Sequence, residues 1–306
     1  MNPYFLFLIS FFFLFNVTQA QSCDEGFRNV THAAGETCVS GNPQRIVVLD
    51  TGELDGALSL GVKPVGAVEA LPGLGLPAYL SELTEGTELV GTIAEPNLEA
   101  ILGLDPDLIL SSNLRHEAIY DQLSEIAPTV FTETVGVAWK ENLQVYAEAL
   151  NRQEVLDLRM GEYEAALGTV RNSADTSQEV SIIRFTPGQN RVMQKGSFIG
   201  TVIEDVGFAR PESQRSDEFM VQVSQEEMEL MDGDVIFMSV FGEADDTALG
   251  AFTSSPLWQS LSAVQADEVY RVSDDHWFLG IGLIGAERIL DDLLIYLSEP
   301  AQVGSS

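Results

Sequence analysis

Arg184 lies near the end of the apolar run Glu179-Val-Ser-Ile-Ile-Arg-Phe185, and Arg115 follows Leu110-Ser-Ser-Asn-Leu114. Each stands at the carboxyl end of a predicted strand, one in either half of the chain. A guanidinium presents a planar fork of N–H donors that matches carboxylates and other oxyanions. Two such groups facing each other could clamp an anionic ligand. Arg191, just across the Pro187-Gly188 turn, could join Arg184. Trp139 and Trp277 sit at loop-to-helix junctions, where aromatic walls suit a large ligand. The competing readings are surface ion pairs for the arginines and core positions for the tryptophans.

Other motifs offer less. Val48-Leu49-Asp50-Thr51-Gly52 matches the aspartic-protease signature, but that chemistry needs two carboxylates sharing a proton. The chain holds no second Asp-Thr-Gly or Asp-Ser-Gly. Gly280-Ile-Gly282-Leu-Ile-Gly285 fits a dinucleotide fingerprint, yet the acidic residue expected about twenty positions on, at the end of another strand, has no room before the chain ends. The start of a helix there would still favour anions through its free N–H groups. His32, His116 and His276 are scattered and lack zinc-site spacing. No Gly-x-Ser-x-Gly occurs. No catalytic constellation is visible, so no enzymatic activity is expected; a hydrolase on an α/β fold is the contrary reading.

The 306 residues carry 47 acidic side chains against 15 basic ones, a net charge of −32. That balance argues against nucleic acid as a partner, because phosphate contacts need clustered cations. It also makes each arginine at a strand end conspicuous, the lysines being only Lys63, Lys140 and Lys195.

The elements that must position these residues read as α/β. Ile46-Val47-Val48-Leu49 is a short β-branched run of the kind buried on both faces of a sheet. Leu54, Ala57, Leu58 and Leu60 follow at near-helical spacing, and Val62, Val65 and Ala67 begin the next extended piece. A strand, helix and strand in succession form a parallel unit whose ligands sit at the strand carboxyl ends, which makes Thr51 a candidate contact. Strand–helix alternation continues to Pro128-Thr-Val-Phe131, pauses for a helical stretch from Trp139 to about Thr169, then resumes at Glu179. Both halves contain an acidic helix followed by a similar strand, Pro106-Asp-Leu-Ile-Leu110 and Gly233-Asp-Val-Ile-Phe237.

Phe5 to Phe15 is nearly all Phe, Leu and Ile, a run of about eleven residues, right for the core of an export signal and too short to span a bilayer. Thr18 and Ala20 supply small residues before a cut after Ala20. In an oxidising compartment Cys23 and Cys38 most simply form a disulfide, joined by a hairpin turning at Gly35. Lipidation of Cys23 is the rival, though Gln21 fits a lipobox poorly. The boundaries read as signal 1–20, hairpin 21–42, first lobe 43–138, linking helix 139–175, second lobe 176–300 and tail 301–306.

The order and spacing of PQRIVVLDTGELDGALSLGVKPVG, VGTIAEPNLEAILGLDPDLIL, RHEAIYDQLSEIAPTVF, WKENL, GSFIGTVIEDVGFARP and HWFLGIGLIGAERILDDLL resemble those of iron–siderophore substrate-binding proteins of ABC transporters. The resemblance covers nearly the whole chain after residue 20. It implies a class III periplasmic binding protein: two α/β lobes with central, mostly parallel sheets joined by a single long backbone helix. It further implies a monomer that captures a ferric siderophore between the lobes and delivers it to an inner-membrane permease and its ATPase. No intrinsic cofactor is implied, and iron would be held by the siderophore rather than by protein ligands. Haem and cobalamin are carried by similar folds and remain open. By the same resemblance Glu99 and Glu226, one per lobe, match the glutamates that dock on permease arginines. One departure stands out: hydroxamate-binding members carry an arginine three residues before the proline of Glu-Pro-Asn, and here that position is Ile93.

Overall fold

The computed structural model describes residues 23–244 and 247–297. The expected export signal and tail lie outside the described residues. So do the last few positions of the expected second lobe.

An antiparallel hairpin opens the described chain, β1 (Phe27–His32) with β2 (Gly35–Ser40). Cys23 and Cys38 form a disulfide. The hairpin is tied to the first lobe by the Ala33 amide donating to the Phe131 carbonyl at 2.8 Å.

The first lobe is a five-stranded parallel sheet. Its strands are β3 (Ile46–Val48), β4 (Gly66–Glu69), β5 (Glu88–Thr92), β6 (Leu108–Ser112) and β7 (Thr129–Thr132), in the order β5-β4-β3-β6-β7. Central β3 and β6 are buried throughout, as their unbroken apolar runs require. From β3 the chain winds outward through β4 and β5, then returns to lay β6 and β7 on the other side. This reversal opens a crevice at the carboxyl ends of β3 and β6. Asp50 and Thr51 follow β3, and Arg115 follows β6.

The second lobe is a mixed sheet of β8 (Val180–Thr186), β9 (Gln189–Met193), β10 (Met220–Gln222), β11 (Val235–Val240) and β12 (Val269–Arg271), in the order β10-β9-β8-β11-β12. β8, β11 and β12 run parallel; β9 and β10 are antiparallel additions. The order reverses between β8 and β11, so the second crevice lies beside Arg184. The lobes therefore present their strand carboxyl ends to each other.

The linking segment is helical but comes in two pieces, Trp139–Leu150 and Gln153–Ser173. Asn151 stops the first in the left-handed conformation (φ 56°, ψ 51°), which a short polar side chain tolerates at a helix end. The Arg152 amide then donates to the Ala147 carbonyl at 2.8 Å. The first piece packs on helix Thr51–Ser59 of the first lobe, the second on helices Phe198–Val206 and Leu283–Leu297 of the second. No helix among the described residues is long and apolar enough to cross a membrane.

Candidate functional site

Between the lobes lies a cleft of about 460 Å³. Asp50, Thr51, Ile93 and Arg115 line it from the first lobe; Arg184, Met193, Phe198, Phe219 and Trp277 line it from the second.

Asp50 ends the β3 segment and caps the helix that follows. Its Oδ1 accepts the Thr51 amide at 2.6 Å and the Thr51 hydroxyl at 3.2 Å. Its other oxygen accepts Arg115 Nε at 2.6 Å. Asp50 is buried, whereas the Arg115 side chain keeps about a third of its surface exposed. Among the described residues no group accepts a hydrogen bond from the remaining guanidinium N–H groups of Arg115.

Arg184 is held more tightly. Nε and Nη2 donate to the two oxygens of Asp274 at 2.7 and 2.6 Å. Ser239 Oγ also donates to Asp274, at 2.8 Å. The guanidinium carbon lies 5.0 Å from the Phe241 ring centroid and 5.2 Å from that of Phe278, within the range of cation–π attraction. Arg191 is the antiparallel partner of Arg184 and Ser239 its parallel partner, so the three project from one face in a row. Arg191 Nε donates to Gln189 at 2.8 Å. Burial and the neighbouring Arg184 charge lower the Arg191 pKa. Arg191 thus lies beside Arg184 and is not among the residues lining the cleft.

Both arginines are ion-paired, as the competing sequence reading had it, yet each pair is built into the cleft wall. The two tryptophans differ from the wall expected of them. Trp139 is in the core, its Nε1 donating to Thr201 at 3.0 Å and its ring edge-on to Tyr163 and Phe198. Trp277 is fully buried, its Nε1 donating to Asp292 at 2.8 Å, and reaches the cleft as part of its lining. Ile93 also lines the cleft, so the place of the hydroxamate-binders' arginine is apolar here. Its carbonyl accepts His116 Nε2 at 2.7 Å, and His116 Nδ1 takes the Ser111 hydroxyl at 2.6 Å. Burial lowers the His116 pKa, in keeping with a neutral positioning role.

Two acids on helix Thr51–Ser59 escaped the sequence reading. Glu53 is fully buried against Tyr146, whose hydroxyl donates to it at 3.2 Å; its other oxygen has no partner. Burial, with the Asp50 charge, pushes its carboxyl up to about 8. Asp55 reaches across to the second lobe. Its oxygens accept the Ile284 amide at 3.0 Å, the Gly285 amide at 2.9 Å and the Tyr79 hydroxyl at 2.8 Å. This accounts for the glycine fingerprint: a Cβ on Gly282 would lie 2.3 Å from Asp55 Oδ1, and one on Gly280 would lie 2.8 Å from the Tyr79 hydroxyl. The anion at that helix start is the protein's own. The glycine spacing, which does not make a dinucleotide site, reads in the sequence only as a helix start that favours an anion, and Asp55 is that anion.

Glu99 and Glu226 are both exposed. Glu99 lies in the first turn of helix Leu98–Gly103, capped by Asn97. Glu226 lies in the 3₁₀ turn Gln225–Met231, whose start is closed by a reciprocal Ser224–Glu227 capping box. Among the described residues no cluster of His, Cys, Asp and Glu is arranged to hold a metal ion.

Residues 75–275 match the family model described as periplasmic binding protein. The chain is 36% identical to a probable siderophore-binding lipoprotein of Bacillus subtilis, over 88% of this chain and 87% of that one. It is 30% identical to the achromobactin-binding periplasmic protein of Dickeya dadantii, over 82% and 85% of the two chains. An Fe(3+)-citrate-binding protein of Bacillus subtilis matches at 29% over 85% of this chain and 82% of that one. Among solved structures, Staphylococcus aureus SirA complexed with staphyloferrin B superposes with a TM-score of 0.80 at 32% identity, covering 88% of this chain and 98% of that one.

Proposed function

The chain belongs to the periplasmic binding protein family, and we propose that it is the receptor of an ABC importer, taking an anionic ferric siderophore into the cleft between its lobes. The observation that carries this reading is the pair of arginines facing the cleft from opposite lobes, Arg115 and Arg184, each aimed by its own aspartate. Their free N–H groups suit carboxylate oxygens. Iron would stay within the chelate, and the protein would neutralise the chelate's charge. Relatives named for ferric citrate and ferric dicitrate support a carboxylate-rich chelate, and apolar Ile93 disfavours a hydroxamate held by an arginine at that place.

The protein works after export, in the periplasm, with no catalytic step of its own. It hands its cargo to an inner-membrane permease driven by an ATPase, docking through Glu99 and Glu226. The Cys23–Cys38 disulfide occupies the sulfur that a lipid anchor at Cys23 would need. Quenching of tryptophan fluorescence across ferric citrate, a ferric catecholate, a ferric hydroxamate, haem and cobalamin tests the assignment. Tight binding of ferric citrate or a related carboxylate chelate is expected. Tight haem or cobalamin binding with no response to any ferric chelate would overturn it.

A further inference from the structure

A second chamber of about 280 Å³ opens beside the arginine cleft. Thr51, Ala70 and Leu279 line both spaces and so form the passage between them. The chamber walls include Leu74, Leu76, Pro77, Val240 and Phe241, and no lysine or arginine. Its two carboxylates are already engaged. Asp274 is held by Arg184 and Ser239, and Asp275 accepts the Ala78 and Tyr79 amides at 3.2 and 2.7 Å. An anionic group entering here would find no cation beyond Arg184, whose charge Asp274 already offsets, and would meet the carboxylate of Asp275. An apolar group would meet apolar walls. At the edge Leu74 is 48% exposed, on a chain whose net charge is −32. Arg184 sits at the boundary, between Phe278 of the main cleft and Phe241 of the chamber.

We propose that the ferric chelate this protein takes is amphiphilic, its anionic iron-binding head between Arg115 and Arg184 and an acyl or aromatic extension in the side chamber. The inference rests on the reading of the cleft as a ferric-chelate site and adds the class of chelate. Burying one methylene is worth about 0.8 kcal/mol, roughly fourfold in dissociation constant.

The test is a series of ferric citrate-type chelates with one head and acyl arms of increasing length, titrated by tryptophan fluorescence. Affinity should rise about threefold to fourfold per methylene until the chamber is full, then level off. Ala78→Trp, which fills the chamber from an exposed position, should bring the ratio of acylated to plain affinity close to one. Leu74→Asp should lower the same ratio. Equal wild-type affinities for tightly bound plain and acylated chelates would overturn the inference and leave the cleft assignment standing. A large ratio that survives Ala78→Trp would place the extension elsewhere and overturn the chamber. Should Leu74→Asp leave the ratio unchanged and cut iron uptake, the exposed leucine faces the permease and the inference also fails. Failure of every chelate to bind would remove the cleft reading and this one together.

Discussion

The Asp55 carboxylate, on the first helix of one lobe, accepts the backbone amide of Gly285, in the opening turn of the last helix of the other, at 2.9 Å. Ile284 and Tyr79 donate to the same carboxylate. The site is fully buried, so the lobes are fastened at this point as well as through the linking helices. Asp55→Ala leaves two helix-end amides without an acceptor, and buried unpaired donors of this kind cost about 1–3 kcal/mol each. A stability loss of about 3 kcal/mol in urea unfolding is expected. A loss within about 0.5 kcal/mol, the usual range of a surface substitution, would mean that the amides are satisfied without Asp55.

Glu53 predicts how stability depends on pH. Its carboxyl, at about 8 in the folded protein, stays protonated where the unfolded chain's glutamate, near 4.5, has ionised. The stabilisation from this group is therefore full below about pH 4.5 and is lost as pH rises toward 8. Glu53→Gln, neutral at every pH, should flatten the fall in urea midpoint between pH 5 and 8. Parallel slopes for the two proteins would refute the assignment.

Arg184 and Arg115 should each affect both stability and affinity. Arg184→Ala strips the partner from Asp274, whose side chain is 11% exposed. Breaking a buried pair costs about 3–5 kcal/mol, so both stability and chelate affinity should drop. Arg184→Lys keeps the charge but loses the two-point grip, and should restore only part of each. Arg115 is itself more open to solvent, but its partner Asp50 is only 1% exposed, so Arg115→Ala should also lower stability, and should weaken chelate affinity by about tenfold to a hundredfold, the worth of one charge-assisted hydrogen bond. Unchanged affinity in both alanine variants would reduce the two arginines to structural ion pairs.

Glu99→Ala combined with Glu226→Ala touches neither cleft nor core. Chelate affinity and unfolding midpoint should stay at wild-type values while uptake of radioactive iron by cells falls to background. Normal uptake would leave the two carboxylates as ordinary exposed side chains.

The central strands were legible because burial on both faces leaves an unbroken apolar run, as in Ile46–Val48 and in the Val-Ile-Phe-Met start of Val235–Val240. Arg115 and Arg184 were legible because strand ends are where such sheets gather ligands. Their partners were not. Asp50 lies 65 residues from Arg115, and Asp274 lies 90 from Arg184, and nothing local marks one aspartate among so many acids as the partner. Asp55 was hidden in the same way, although the glycines that make room for it were plain. The break at Asn151 escaped because an asparagine flanked by helical pattern reads as one more polar surface position. Trp139 was set at a helix start correctly, but a helix start does not say which way an indole turns, and this one turns into the core.

The aspartates behind Arg115 and Arg184 have a consequence for selectivity. Each is a tethered competitor, present at a local concentration that no free metabolite in the surrounding fluid matches. A lone acetate or chloride reaches one arginine at a time, and there only the N–H groups that its aspartate leaves over. On the proposed reading, a multiply charged iron chelate would touch both arginines at once and share them without evicting either aspartate. That arrangement would set a threshold on guests, favouring a chelate that spans both arginines over small anions.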